Sequence, residues 1–201
     1  RLTEESLVLD KGRVLMRAPS GEAVDFYLNR GLTKLGERFW EEDEVPANSA
    51  PFRPLAIRIV DKQGQVSDSV RSVDPITIEI DYELTADLTG LRVGYYLFTT
   101  RGEPVFTSFD TDSEELFREF PARSKGVYTS RCVIPALTLN EGRFVLGVNA
   151  SSYHIKRYFQ DDQALSFSVD ASGAPGTHWP EPRPGAVRPA LQWTIDERGG
   201  A

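Results

Sequence analysis

With 201 residues, 40% of them hydrophobic and 26% charged, the chain has the composition of an ordinary soluble protein and enough apolar side chains for one sizeable core. A net charge of −7 gives no general attraction to phosphate backbones or anionic lipid, so nucleic acid and unaided membrane binding are excluded as expectations. A single cysteine, Cys132, leaves no internal disulfide to staple a secreted fold. No apolar stretch is long enough to span a bilayer and no signal peptide is visible, so a cytoplasmic chain is expected.

In chain order, the first predicted element is a β-hairpin. Apolar runs Leu7–Leu9 and Val14–Met16 flank Asp10, Lys11 and Gly12, a turn signal between strands. Ser20 then caps a helix expected from about Gly21, with Ala23, Val24, Tyr27 and Leu28 at helical spacing. A hairpin and one short helix bury too little to fold alone, so residues 1–29 read as the tail of a further domain and the chain, which opens at Arg1, reads as a fragment. Residues 30–53 read as a linker. Leu32, Leu35, Phe39 and Trp40 allow a helical turn or two, before the acids Glu41–Glu44 and the proline-containing stretch after them break any element.

From residue 54 the period changes to two. Residues 55–61 (LAIRIVD) set Leu55, Ile57 and Ile59 against Ala56 and Arg58, and residues 76–84 alternate strictly, with Ile76, Ile78, Ile80, Tyr82 and Leu84 on one face. Further strands are expected at 91–100, 104–109, 127–135, 143–151 and 164–169, separated by turns such as Arg101-Gly102-Glu103 and Asn140-Glu141-Gly142. Cys132 falls within a strand and reads as a small buried hydrophobe. With no long helix between them, these strands predict an all-β, immunoglobulin-like antiparallel β-sandwich over residues 54–201. Residues 172–189 are too rich in Pro and Gly for a regular element. They lead into residues 190–196 (ALQWTID), a plausible last strand docking on its own sandwich or on a neighbour's.

Most enzymatic signatures are absent. There is neither a phosphate-binding P-loop nor a G-x-S-x-G elbow, and the two histidines, His154 and His178, lie apart in loop-like sequence. Acidic clusters stand at Asp110, Asp112, Glu114 and Glu115, and at Asp161 and Asp162. The readings open for them are a calcium loop lacking the usual glycine, a pair of hydrolase carboxylates, or solvated loops. What remains is a surface. If Val93, Tyr95 and Leu97 face the core, then Gly94, Tyr96 and Phe98 face outward, as do Val145, Gly147 and Asn149 of the strand at 143–151 and Ser166 and Ser168 of the strand at 164–169. In immunoglobulin-like topology these three strands share a sheet. Two aromatic rings beside glycines, Asn149 and serines, with Tyr153 and His154 in the adjoining loop, make a platform on which a sugar's C–H face would stack while polar groups bond its hydroxyls. The competing expectation is that Tyr96 and Phe98 are covered by another segment or subunit.

These segments resemble a known family. Residues 6–28 (SLVLDKGRVLMRAPSGEAVDFYL) resemble the closing hairpin and helix of an ABC-transporter nucleotide-binding domain. Residues 54–169 resemble the C-terminal domain of the Wzt-type ATPase subunit of O-antigen exporters, in IRIVDKQGQV (57–66), ITIEIDY (76–82), VGYYLFTTRGEPVF (93–106) and IPALTLNEGRFVLGV (134–148). Residues 184–193 (PGAVRPALQW) are similar to that family's ending. The resemblance implies an immunoglobulin-like, non-catalytic carbohydrate-binding domain that recognises the modified non-reducing end of a lipid-linked O-polysaccharide and couples chain completion to export through a Wzm-type membrane subunit. It also implies a homodimer formed by exchange of a C-terminal strand, and a place at the cytoplasmic face of the inner membrane. ATP and Mg would belong to a nucleotide-binding domain whose motifs this sequence lacks, so no cofactor and no catalytic residue is expected here. The alternative is a structural domain that dimerises the exporter ATPase without touching glycan.

Overall fold

The computed structural model of the chain describes residues 4–10, 13–20, 23, 36–176, 178, 181 and 183–195. Strands β1 (Glu5–Asp10) and β2 (Arg13–Pro19) pair antiparallel as a hairpin. Val8, Ala18 and Ala23 are buried in a small cluster of their own, with Met16 against it. Of the helix expected from about Gly21, only Ala23 is described, in helical conformation, and the start of the expected linker lies outside the described residues.

The main body is a two-layer sandwich, and it begins earlier than the sequence pattern places it. Strand β3 (Glu37–Phe39) pairs antiparallel with β4 (Phe52–Val60), so Phe39, expected on a helical turn, lies on a strand. Trp40 is 5% exposed and belongs to the sandwich core. Of the acids expected to break any element, Glu42–Glu44 form an exposed 3-10 turn. A three-residue strand and one buried indole need no periodic pattern, and this is why the segment resembles a linker in sequence.

Strand β5 (Ser69–Arg71) is followed by β6 (Ile76–Leu84), the short β7 (Leu88–Thr89), β8 (Leu91–Thr99) and β9 (Pro104–Phe109). A six-residue helix, α1 (Glu114–Glu119), capped by the Ser113 side chain, leads to β10 (Ala122–Arg123), β11 (Gly126–Ile134), β12 (Gly142–Ser152) and β13 (Lys156–Asp170). One sheet has the order β11-β6-β4-β3 and the other β5-β13-β12-β8-β9. All of their pairings are antiparallel except β5 with β13. This is the immunoglobulin-like sandwich expected from the strand pattern.

The core lies between the inner faces, where the strict alternation of β6 and the inward Val93, Tyr95 and Leu97 of β8 meet Phe144, Leu146 and Val148 of β12 and Leu165, Phe167 and Val169 of β13. β-branched and aromatic side chains suit such half-buried pleated surfaces. Phe52, Tyr82 and Tyr128 stack in sequence across β4, β6 and β11. Leu55, expected inward, is instead the extra residue of a β-bulge and stays half-exposed, because the pairing of β4 with β6 shifts between Pro54 and Ala56. Cys132 is half-buried, since β11 is the sheet edge, and its Sγ lies 3.5 Å from the Tyr95 hydroxyl. Burial, with Cys132 beside it, pushes the Tyr95 phenol far above its usual range.

Asp110, for which the sequence leaves a calcium loop, a hydrolase pair and a solvated loop open, joins the two layers. Its carboxylate accepts from the Val93 backbone N–H at 3.0 Å on one sheet and from Ser130 Oγ at 3.1 Å on the other. Arg123 completes the clamp, with Nη2 2.7 Å from Asp110 and Nη1 donating to the Tyr82 hydroxyl at 2.6 Å. The ion-paired side chains are 7% and 10% exposed. Asp112 accepts from the Phe109 N–H and Ser108 Oγ. Both acids thus act as local structural ligands of the chain itself.

The Pro- and Gly-rich arm is pinned to the body: Asn140 Nδ2 donates to the carbonyls of Arg183 and Gly185, and a β-bridge joins Leu139 to Val187. Of residues 190–196, expected as a final strand, 190–195 are described and pair with no strand among the described residues. Leu191, Trp193 and Ile195 project from this segment at 68%, 84% and 96% exposure. No described helix is long and apolar enough to cross a membrane.

Candidate functional site

The five-stranded sheet turns its outer face away from the core, and register arranges that face in rows. Across β8, β12 and β13 the rows run Arg92–Ser151–Arg157, then Gly94–Asn149–Gln160, then Tyr96–Gly147, then Phe98–Val145–Ser166. Strand β9 adds Phe109 opposite Gly94 and Thr107 opposite Tyr96. Paired residues in a sheet project to the same side, so the alternation read from sequence does bring Tyr96, Phe98, Asn149, Ser166 and Ser168 to one surface.

Tyr96 and Phe98 are half-buried, with ring centroids 6.1 Å apart. Phe109 meets Tyr96 edge-on at 6.2 Å and 88°. Gly147 lets the backbone of β13 close over the row beside Tyr96. A Cβ there would lie 2.9 Å from the Asp161 carbonyl oxygen, because β13 bulges between the residues opposite Val148 and Leu146 and leans over this point. The bulge is held from beneath: Trp40 Nε1 donates to Asp161 Oδ2 at 3.1 Å, and Asp161 Oδ1 accepts from the Gln163 N–H at 3.0 Å. Gln160, Asp162 and Gln163 consequently rise beside the aromatic pair, and Gln160 Nε2 donates to Asp162 Oδ1 at 2.6 Å.

Two clefts result, with Tyr96 lining both. The first, about 430 Å³, lies among Tyr96, Phe98, Val145, Gln160, Asp162 and Gln163. The second, about 330 Å³, lies among Arg92, Tyr96, Asn149, Ser151, Tyr153 and Arg157. In the second cleft a hydrogen-bond chain runs from Arg92 Nε to Ser151 Oγ at 3.0 Å and from Ser151 Oγ to Asn149 Oδ1 at 3.0 Å. Tyr153 and His154 follow β12 in a turn. His154 adopts a left-handed φ of 58°, and the two rings stand 3.9 Å apart at the cleft's end.

The expected residues are not equally placed. Asn149 is 2% exposed and reaches the second cleft only from its floor. Ser166 is also 2% exposed, its Oγ accepting from Arg143 Nη2 at 2.9 Å, and neither it nor Ser168 lines the two clefts. Sequence reasoning missed Arg92, although the alternation that selects Gly94 and Tyr96 selects it too. It also missed Gln160, Gln163 and Arg157, and singled out Asp162 only as part of an acidic cluster, because a polar run ahead of the apolar residues 164–169 has no strand period, whereas β13 begins at Lys156. Among the described residues, no three His, Cys, Asp or Glu side chains gather as a metal site.

Comparison with known proteins adds to this geometry. A solved structure described as the crystal structure of the C-terminal domain of wzt superposes with a TM-score of 0.62 at 15% identity, covering 86% of this chain and 96% of that one. That likeness concerns the fold. No curated protein sequence matches the chain. The family profile described as Wzt C-terminal domain matches residues 53–179, more than half of the chain, and the chain therefore belongs to the Wzt C-terminal domain family.

Proposed function

We propose that the outer face of the five-stranded sheet is a non-catalytic carbohydrate-binding surface that recognises the modified non-reducing end of a lipid-linked O-polysaccharide. In this reading, binding reports a completed chain to the exporter, whose Wzm-type membrane subunit and nucleotide-binding domain, with its ATP and Mg, act at the cytoplasmic face of the inner membrane. One observation carries the reading: a half-buried Tyr96 lies between two open clefts, flanked by Phe98 and Phe109 and by amide, carboxylate and guanidinium groups. Aromatic rings bordered by planar polar groups suit a pyranose, which has an apolar C–H face and a hydroxyl rim. The clefts are shallow, so single sites would bind weakly and a dimer would add avidity.

The assembly reading also has an observation in its favour. The segment with Leu191, Trp193 and Ile195 has the alternation of a strand, and β11 is an edge strand that pairs only with β6 among the described residues, with Val127 and Val133 exposed. Exchange of that segment between two copies would give a homodimer, which is compatible with glycan binding on the other sheet. Calorimetric titration with O-polysaccharide from the same cells, with and without its terminal modification, separates the two readings. Binding is expected only with the modification, and Tyr96→Ala is expected to weaken it at least tenfold while leaving the oligomeric state unchanged. Loss of the dimer in Tyr96→Ala, or binding of neither polysaccharide, would leave the assembly reading in place, and equal binding of both would overturn recognition of the modification.

A further inference from the structure

We infer that the second cleft is an oxyanion subsite, in which Arg92 and Arg157 together hold a carboxylate or phosphate carried by the saccharide. The inference rests on the carbohydrate reading and specifies the ligand's charge. Register places Arg92 and Arg157 on either side of Ser151, one strand apart on each flank, so their backbones stand about 10 Å apart at the usual strand spacing. Two guanidiniums share one face with no carboxylate between them. Elsewhere Arg58 pairs with Asp81, Arg123 with Asp110 and Arg131 with Glu79. Neither Arg92 nor Arg157 has an ion-pair partner among the described residues, and no Asp or Glu lines this cleft.

Arg92 is also set in place before any ligand arrives. Its Nε is taken by Ser151, and its guanidinium lies 4.4 Å from the Phe109 ring and 5.1 Å from the Tyr153 ring. Those contacts fix the plane of the fork and leave its Nη edge for a planar or tetrahedral oxyanion. Lys156 adds positive charge nearby while its Nζ donates to the Ala50 carbonyl at 2.9 Å. The first cleft has the opposite character, because Asp162 there repels an anion while Gln160 and Gln163 suit hydroxyls. The groove is thus polar along its length, and Tyr96, which borders both clefts, places the stacked ring beside the charge.

The test titrates the full chain at fixed ionic strength with glucuronate, galacturonate and mannose 6-phosphate, with their neutral parents glucose, galactose and mannose, and with inorganic phosphate. At least one acidic sugar is expected to bind at least tenfold more tightly than its parent. That advantage should vanish in R92M/R157M and shrink with added salt, and Tyr96→Ala should weaken the acidic and the neutral sugar alike. A preferred uronate identifies a carboxylate ligand, and a preferred 6-phosphate identifies a phosphorylated one. Equal binding of acidic and neutral sugars would overturn the oxyanion subsite while leaving the carbohydrate reading intact. Inorganic phosphate binding as tightly as the acidic sugars, with Tyr96→Ala without effect, would also overturn it. Absence of binding by every probe would overturn both.

Discussion

Replacing Asp110 by alanine is expected to lower the stability of the sandwich by about 3–5 kcal/mol, the usual cost of stripping one partner from a buried ion pair. The carboxylate serves three donors on both layers: the Val93 N–H, Ser130 Oγ and Arg123 Nη2. Without it, the Arg123 guanidinium, 7% exposed, keeps its contact with the Tyr82 hydroxyl but holds an uncompensated charge between the sheets. A loss of that size is a large fraction of the roughly 5–15 kcal/mol that holds a domain together. The midpoint of urea unfolding measures it, and a shift equivalent to less than about 1 kcal/mol would show that water replaces the clamp.

The second large effect is expected at Trp40. The indole is 5% exposed and meets Phe159 edge-on at 5.4 Å. Trp40→Ala therefore removes a large buried ring and should cost about 3–5 kcal/mol. Trp40→Phe keeps most of the packing and removes only the Nε1 donor to Asp161, for about 1 kcal/mol. If Trp40 positions the β13 bulge, the phenylalanine variant should bind glycan measurably more weakly despite its near-normal stability. Wild-type affinity in that variant would reduce Trp40 to a packing residue.

The sandwich was legible wherever one period ran through a whole element. Strand β6 alternates from Ile76 to Leu84 without a break, and β8 and β12 continue the pattern, so the two faces of the five-stranded sheet follow from spacing alone. What escaped had no period to show. Strand β3 is three residues long, and Trp40 owes its burial to Phe159 and Asp161, more than a hundred positions away. The first half of β13 reads KRYFQDDQ, in which Arg157, Gln160, Asp162 and Gln163 line the clefts while Tyr158 and Phe159 turn inward and Asp161 meets Trp40 beneath. Asp110 looked like one acid among several, because only tertiary contact distinguishes the carboxylate that meets Arg123 from its exposed neighbours Glu114 and Glu115. The row Arg92–Ser151–Arg157 is a product of register between three strands, which composition does not encode.

The most direct test of carbohydrate recognition on this face is an amide chemical-shift map of the chain titrated with the modified terminal oligosaccharide of the O-polysaccharide. Shifts are expected in Arg92–Phe98, Gly147–Ser151 and Arg157–Gln163 alone, with β6 and β11 on the opposite sheet unmoved. Shifts centred on β6 and β11 or on residues 186–195, or a spectrum unchanged at saturating oligosaccharide, would contradict recognition on this face.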